Sequence, residues 1–267
     1  MLFRSDKLMI KDNLDAPFDA TVLFDIKTGG VLSVILGKRE MIADITGALN
    51  IVGVKYLARA DASSVGVLGT GTIATSSLRM LALVRTIKKV KCYSPNRDHR
   101  ESYCREMSKR LAFNVVPVDH PQDAIREVDI VLCCTNSNVP VIHGDWLEKG
   151  QCVLTQQAAG PAALDGRMGR REIDVETVTR SDVIVATLRE QVKVDQMAQL
   201  MEPLNEGLIT WDRIWELPEL LTGKVPGRTD DSQITLFDQN TNQGLNFVAT
   251  FFILYQRAKE RGLGVEF

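Results

Sequence analysis

Along the chain, short apolar runs alternate with segments whose apolar residues recur every three or four positions. Before residue 60, Thr21–Phe24 and Val31–Leu36 are β-branched runs joined through Lys27-Thr28-Gly29-Gly30, the pattern of a β-hairpin. Ile45, Leu49, Val52 and Tyr56 then recur at helical spacing, which predicts a helix over about Met41–Arg59. From Asp61 onward the pattern changes. Ser64–Leu68, Val90–Tyr93, Val115–Val118, Ile130–Cys134, Cys152–Thr155 and Val183–Ala186 read as short buried strands. Helices are expected over Ile73–Lys88 and along Tyr103, Met107 and Leu111, the latter capped by Ser94 with Pro95 as its first residue. Leu188–Leu204 reads as helical and Gly223–Gly227 as a loop around Pro226. A last amphipathic stretch, Leu245–Arg261, carries Phe247, Phe251, Leu254 and Ala258 and is expected to pack back on the N-terminal segment. Apolar strands alternating with helices imply an α/β fold whose parallel sheet is covered on both faces.

Composition narrows the function classes. Over 267 residues, Lys+Arg is 32 against Asp+Glu 34, a formal net charge of −2, without the basic excess of a nucleic-acid or anionic-membrane binder. The longest apolar stretch, near Phe247–Tyr255, falls far short of the ~20 residues a spanning helix needs. The N-terminus lacks the apolar core of a secretion signal, and five cysteines without repeated spacing point to reduced thiols, so a cytoplasmic location is expected. His99, His120 and His143 fall at no metal-ligand spacing and no C-x-x-C occurs, so no metal site is expected. Cys133 and Cys134 end a buried strand and read as packing residues. Neither G-x-S-x-G nor a P-loop is present, which lowers the case for a hydrolase or P-loop enzyme.

The candidate chemistry starts at Gly69-Thr70-Gly71-Thr72-Ile73-Ala74, which follows the strand Val65–Leu68 and opens a helix. In that setting a G-x-G-x-x-A hexapeptide reads as a dinucleotide-binding turn. Gly69 permits the tight turn, Gly71 lets the backbone approach a pyrophosphate, and Ala74 lets the helix close on the sheet, while the N–H groups beginning at Thr72 and Ile73 face the anion. At the end of the second strand an acid selects NAD by accepting from the ribose hydroxyls. Here the chain runs Tyr93-Ser94-Pro95-Asn96-Arg97, with no acid before Asp98. Ser94 and Asn96 are donors, and Arg97 and Arg100 either pair with a 2′-phosphate or solvate a helix start. The pattern favours NADP, with NAD possible. Thr135-Asn136-Ser137, just past the fourth sheet strand, either touches the nicotinamide end or makes a turn.

Several segments in order resemble the ornithine cyclodeaminase/mu-crystallin family. They are Ile45-Thr46-Gly47-Ala48, Lys55–Arg59, Val67–Gly71, Ala124–Val131, Thr135–Val141, Gly223–Arg228, Gln233–Phe237, and Ala258 with Arg261–Gly264. The resemblance implies a Rossmann domain, residues 62–243, inserted into a smaller α+β substrate and dimerisation domain, residues 1–61 with 244–267. It also implies bound NAD(P), chemistry on a small amino or imino acid, and a homodimer. The chain departs from the family pattern in three places. Ile45 stands where the family has an arginine for the substrate carboxylate, and Asn246 where it has an acid; the N-terminal portion reads as shorter, with Arg4 in line with a family lysine. Catalytic candidates are thus Asn246 and Arg4. Asn246 also reads as a helix cap, and Ile45 as core beside Leu49 and Val52. The expected function is an NAD(P)-dependent oxidoreductase or imine reductase. The alternatives are a low-turnover NADPH-binding protein like mu-crystallin and a redox-neutral cyclodeaminase.

Overall fold

The computed structural model describes residues 18–111, 113–156, 171–240 and 243–265. An antiparallel hairpin of β1 (Phe18–Phe24) and β2 (Val31–Lys38) leads into α1 (Arg39–Leu57). Then come β3 (Ser64–Leu68), α2 (Thr72–Leu81), β4 (Lys89–Tyr93), α3 (Arg97–Leu111), β5 (Val115–Pro117), α4 (Pro121–Ile125), β6 (Ile130–Cys133) and β7 (Cys152–Gln156). The later elements are α5 (Val175–Arg180), β8 (Val183–Ala186), α6 (Arg189–Val194), α7 (Ala198–Asn205), β9 (Ile214–Glu216), α8 (Leu217–Leu221), β10 (Thr235–Gln239) and α9 (Gln243–Glu260).

The chain forms two compact units, one running to Thr46 and resuming at Asn242, the other spanning Gly47–Thr241. In the first, Asp25 Oδ1 accepts from the backbone N–H of Lys27 (2.7 Å) and Thr28 (3.2 Å), and Gly29 takes φ +73°, which closes the hairpin turn. Leu23, Phe247 and Phe251 form its core, with Ile35, Ile42, Ile45 and Tyr255 packed around them, so α9 docks on the hairpin as its apolar face predicts.

The second unit is built on an eight-stranded, all-parallel sheet in the order β5-β4-β3-β6-β7-β10-β8-β9. This is the doubly wound Rossmann-type arrangement, and the strand order reverses between β3 and β6. The second unit takes in the later part of α1, whose Ile51, Val54 and Leu57 belong to the sheet's core. Two glycines permit the approach: a Cβ added to Gly53 would lie 2.3 Å from the Phe237 ring, and one on Gly47 would lie 2.5 Å from Ser76 Oγ.

The structure departs from local pattern in four places. α2 stops at Leu81, well short of Lys88. Arg85 in the following turn donates to the carbonyls of Lys55 (2.9 Å) and Arg59 (3.2 Å), closing off the end of α1. The Leu188–Leu204 helix is two helices, with the chain turning at Gln196, φ +48°. The cap of α3 is Asn96, whose Oδ1 accepts from His99 N–H at 2.9 Å, and Ser94 lies just past the end of β4. Finally, β10 enters the sheet between β7 and β8, although its sequence Thr-Leu-Phe-Asp-Gln shows no clean apolar run. Among the described residues, no helix is long and apolar enough to cross a membrane.

Candidate functional site

At the reversal between β3 and β6 the carboxyl ends of the strands open a crevice, the usual ligand position in this architecture. The turn at its edge is Gly69–Gly71. Gly69 takes φ +99°, its N–H donates to Tyr93 O (2.9 Å), and an added Cβ would lie 2.4 Å from Cys134 O. The turn is therefore pinned between the ends of β4 and β6, and only glycine fits there. Gly71 differs: it is extended (φ −82°, ψ 179°), and nothing lies within 4 Å of where its Cβ would be. Thr72 and Ile73 begin α2, whose first turn carries no acid and presents N–H groups without helical acceptors. Ala74 is fully buried where the helix meets the sheet. This geometry can bind an anion by backbone N–H groups and helix dipole.

At the end of β4 the candidate residues separate. α3 begins at Arg97, which places Arg100 on the same helical face as Tyr103, Cys104 and Met107, all buried. Arg100 is turned inward, its Nη1 donating to Ser94 O (2.9 Å) and its Nη2 to Asp119 Oδ1 (2.6 Å), with the guanidinium 5.8 Å from the Tyr93 ring centroid. It braces the loop from beneath, which corrects the expectation of an outward phosphate fork. Ser94 is buried with its carbonyl so engaged. Asn96 is exposed and spends its oxygen on the helix cap. Arg97 alone of the two arginines faces solvent, its Nε 2.8 Å from Glu101 Oε1.

Past β6, Thr135 donates to Glu172 Oε1 through both N–H (2.6 Å) and Oγ1 (2.8 Å). Asn136 is exposed, and the Ser137 hydroxyl donates to Val139 O (2.6 Å), which makes a turn of this segment. Glu172 is fully buried, and its Oε2 accepts from Gln156 N–H at 2.7 Å. Burial pushes its carboxyl up to about 7 against the pull of those donors. Sequence reading missed it, because Arg170-Arg171-Glu172 looks like a charged surface run.

Also missed was a row of buried polar side chains at the carboxyl end of the sheet. Gln156 and Gln239 are register partners, and Thr187 follows Ala186, the partner of Asp238. The three share the sheet face that carries Phe237 and α1. Gln156 Oε1, Thr187 Oγ1 and both amide atoms of Gln239 are buried without a hydrogen-bond partner, as is Asn50 Oδ1 on α1. Buried polar atoms left this way are costly unless a bound molecule completes them. On the opposite face Asp238 accepts from Thr155 Oγ1 (3.0 Å) and Gln199 Nε2 (2.5 Å), and burial pushes its carboxyl up to about 6.

Asn246 is half-buried in the first turn of α9, inside the helix instead of at its cap position. Ile45 packs in the apolar cluster with Leu23, Phe247 and Phe251, which is the core reading. Arg4 lies outside the described residues. Among the described residues, no group of three or more His, Cys, Asp or Glu side chains is placed to hold a metal ion.

Comparison with known proteins agrees with this layout. An uncharacterized cyclodeaminase of Sinorhizobium fredii is 31% identical over 91% of this chain and 71% of that protein. The Δ1-pyrroline-2-carboxylate reductase of Thermococcus litoralis, solved with NADH and L-proline, superposes with TM-score 0.83 at 31% identity, covering 94% of this chain and 74% of that one. An archaeal alanine dehydrogenase dimer with bound NAD gives TM-score 0.80 at 25% identity, covering 94% of this chain and 74% of that one. The family pattern spans residues 9–261, and with the glycine turn at the sheet's reversal it leads to one conclusion: this chain belongs to the ornithine cyclodeaminase/mu-crystallin family.

Proposed function

We propose that this protein is a nicotinamide-dependent reductase of a small imino acid. The observation that carries the reading is the open approach over Gly71 at the head of α2, in a chain 31% identical to a reductase holding NADH and L-proline. The residues present fit a dinucleotide. The first N–H groups of α2 receive the pyrophosphate. The unpaired amide of Gln239 and the unpaired Oε1 of Gln156 offer a neutral donor-and-acceptor surface matching a carboxamide. When bound, the cofactor supplies hydride to an imine carbon. In this reading Asn246 and Arg4 remain the catalytic candidates, and Asn246 can hydrogen-bond without exchanging a proton.

NADPH is the tighter ligand in this proposal, since no acid follows Tyr93 in the chain before Asp98 and Arg97 is outward. Its partner Glu101 must yield to the phosphate, so the preference weakens as salt rises. The test is oxidation of NADPH and NADH with Δ1-pyrroline-2-carboxylate and with 2-oxo acids plus amines, alongside ammonia release from ornithine. Imine-dependent oxidation without ammonia release is expected, because Asn246 replaces an acid–base group of a kind that typically contributes 10²–10⁴-fold. Ammonia release at ordinary enzyme rates refutes the reductase reading. Nucleotide binding without turnover of any substrate replaces it with a mu-crystallin-like binding protein.

We further propose a homodimer through the first unit. That unit exposes Val34 and Leu36 on the hairpin and Val248, Phe252 and Ile253 on α9, more apolar surface than so small a body leaves bare without a partner. Light scattering at micromolar concentration is expected to give twice the chain mass, and Leu36→Lys with Ile253→Lys to lower it. A monomeric mass for the unsubstituted protein refutes the dimer.

A further inference from the structure

We propose that Glu172 is the positioning residue for the nicotinamide end of the site: its buried carboxylate holds the Thr135–Ser137 loop and the end of β7 in one fixed geometry. This rests on the cofactor reading above.

The carboxylate is itself immobilised by backbone bonds. The Glu172 carbonyl accepts from the N–H groups of Val141 (2.9 Å) and Ile142 (3.0 Å), and its N–H donates to Gln199 Oε1 at 3.3 Å. Three donors from two strand ends then converge on its oxygens, two from Thr135 and one from Gln156. β6 and β7 are neighbours next to the reversal point, so the clamp spans the half of the crevice beyond the pyrophosphate turn. An apolar side chain in its place would leave the buried N–H groups of Thr135 and Gln156 without an acceptor, and Cys133 lies beside the carboxylate as well. What a carboxylate adds is directional: four lone-pair positions that set the orientation of Thr135 and Gln156, whose unpaired Oε1 belongs to the polar row.

The experiment compares NADH with ADP-ribose, which shares the adenosine and pyrophosphate portions and lacks nicotinamide, by titration of the full chain and of Glu172→Gln. The amide keeps one acceptor but turns an NH₂ toward an N–H donor, so the loop must shift. NADH affinity is expected to fall about tenfold while ADP-ribose affinity stays within about twofold. A merely structural role would weaken both ligands together. Should Glu172→Gln fail to fold, Thr135→Val, which deletes one of the three bonds, is read the same way with a smaller shift. Equal weakening of both ligands overturns the inference, as does an unsubstituted protein that binds NADH no tighter than ADP-ribose. An unsubstituted protein that binds neither ligand overturns the cofactor reading, and the inference with it.

Discussion

Gly71→Val is expected to abolish dinucleotide binding while leaving the protein folded. Gly71 already sits in a backbone conformation open to any residue, and no atom lies within 4 Å of its Cβ direction. The folded state therefore loses only the small preference for glycine over valine ahead of a helix, within about 1 kcal/mol. The isopropyl group projects into the space over the α2 N-terminus, where a pyrophosphate must come within hydrogen-bonding distance of the N–H groups. Loss of that contact lowers affinity by about two orders of magnitude or more. Gly69→Ala is the contrasting case. Its φ of +99° and the 2.4 Å approach to Cys134 O force the ends of β3 and β6 apart, so stability falls by about 2–4 kcal/mol. Fluorescence titration and thermal melts of both variants separate the two effects. Normal NADH binding by Gly71→Val would remove this turn as the cofactor site.

Asp238→Asn is expected to change stability relative to the unsubstituted protein by about 3 kcal/mol between pH 4 and pH 8, in the variant's favour at the higher pH. Burial raises the folded Asp238 carboxyl from an ordinary 3.8 to about 6. A raised carboxyl means that the folded state holds its proton more tightly than the unfolded chain. Stability contributed by the protonated form is complete below the unfolded value and is lost as pH rises through the folded one, a window from about 4 to about 6. Glu172, raised from 4.5 to about 7, adds a loss of the same sign and similar size over a window reaching neutrality. Asp129, whose carboxyl is lowered by the N–H groups of Ser63 and Ser64, the Ser64 hydroxyl and Arg59 against the opposing effect of burial, works in the reverse direction. The total pH profile is therefore mixed, and the difference between variant and parent isolates one group. Asparagine can keep the bonds from Thr155 and Gln199 while removing the buried charge. Urea unfolding across pH measures the difference; a constant value would mean that Asp238 titrates normally in the folded protein.

The elements that local pattern determines are those whose signals lie within a few residues. The hairpin at Lys27–Gly30, the helix around Ile45–Tyr56 and six of the sheet strands were legible because period-two and period-3.6 burial is a property of one segment. The Gly69–Gly71 turn was legible for a related reason, since glycine marks a backbone demand at its own position. The tertiary structure alone decided how polar residues are used. Glu172 becomes a buried clamp because its donors and acceptor come from Thr135, Gln156 and Gln199, 37, 16 and 27 residues away. Arg100 turns inward because the exact start of α3 puts it on the face that meets Ser94 and Asp119. β10 joins the sheet although Asp238 interrupts its apolar pattern, with Thr155 on the neighbouring strand and Gln199 on α7 both donating to its Oδ1. Burying an apolar side chain requires only a cover, which periodicity reports. Burying a polar one requires particular partners at hydrogen-bonding distance, and those are assembled only when distant segments meet.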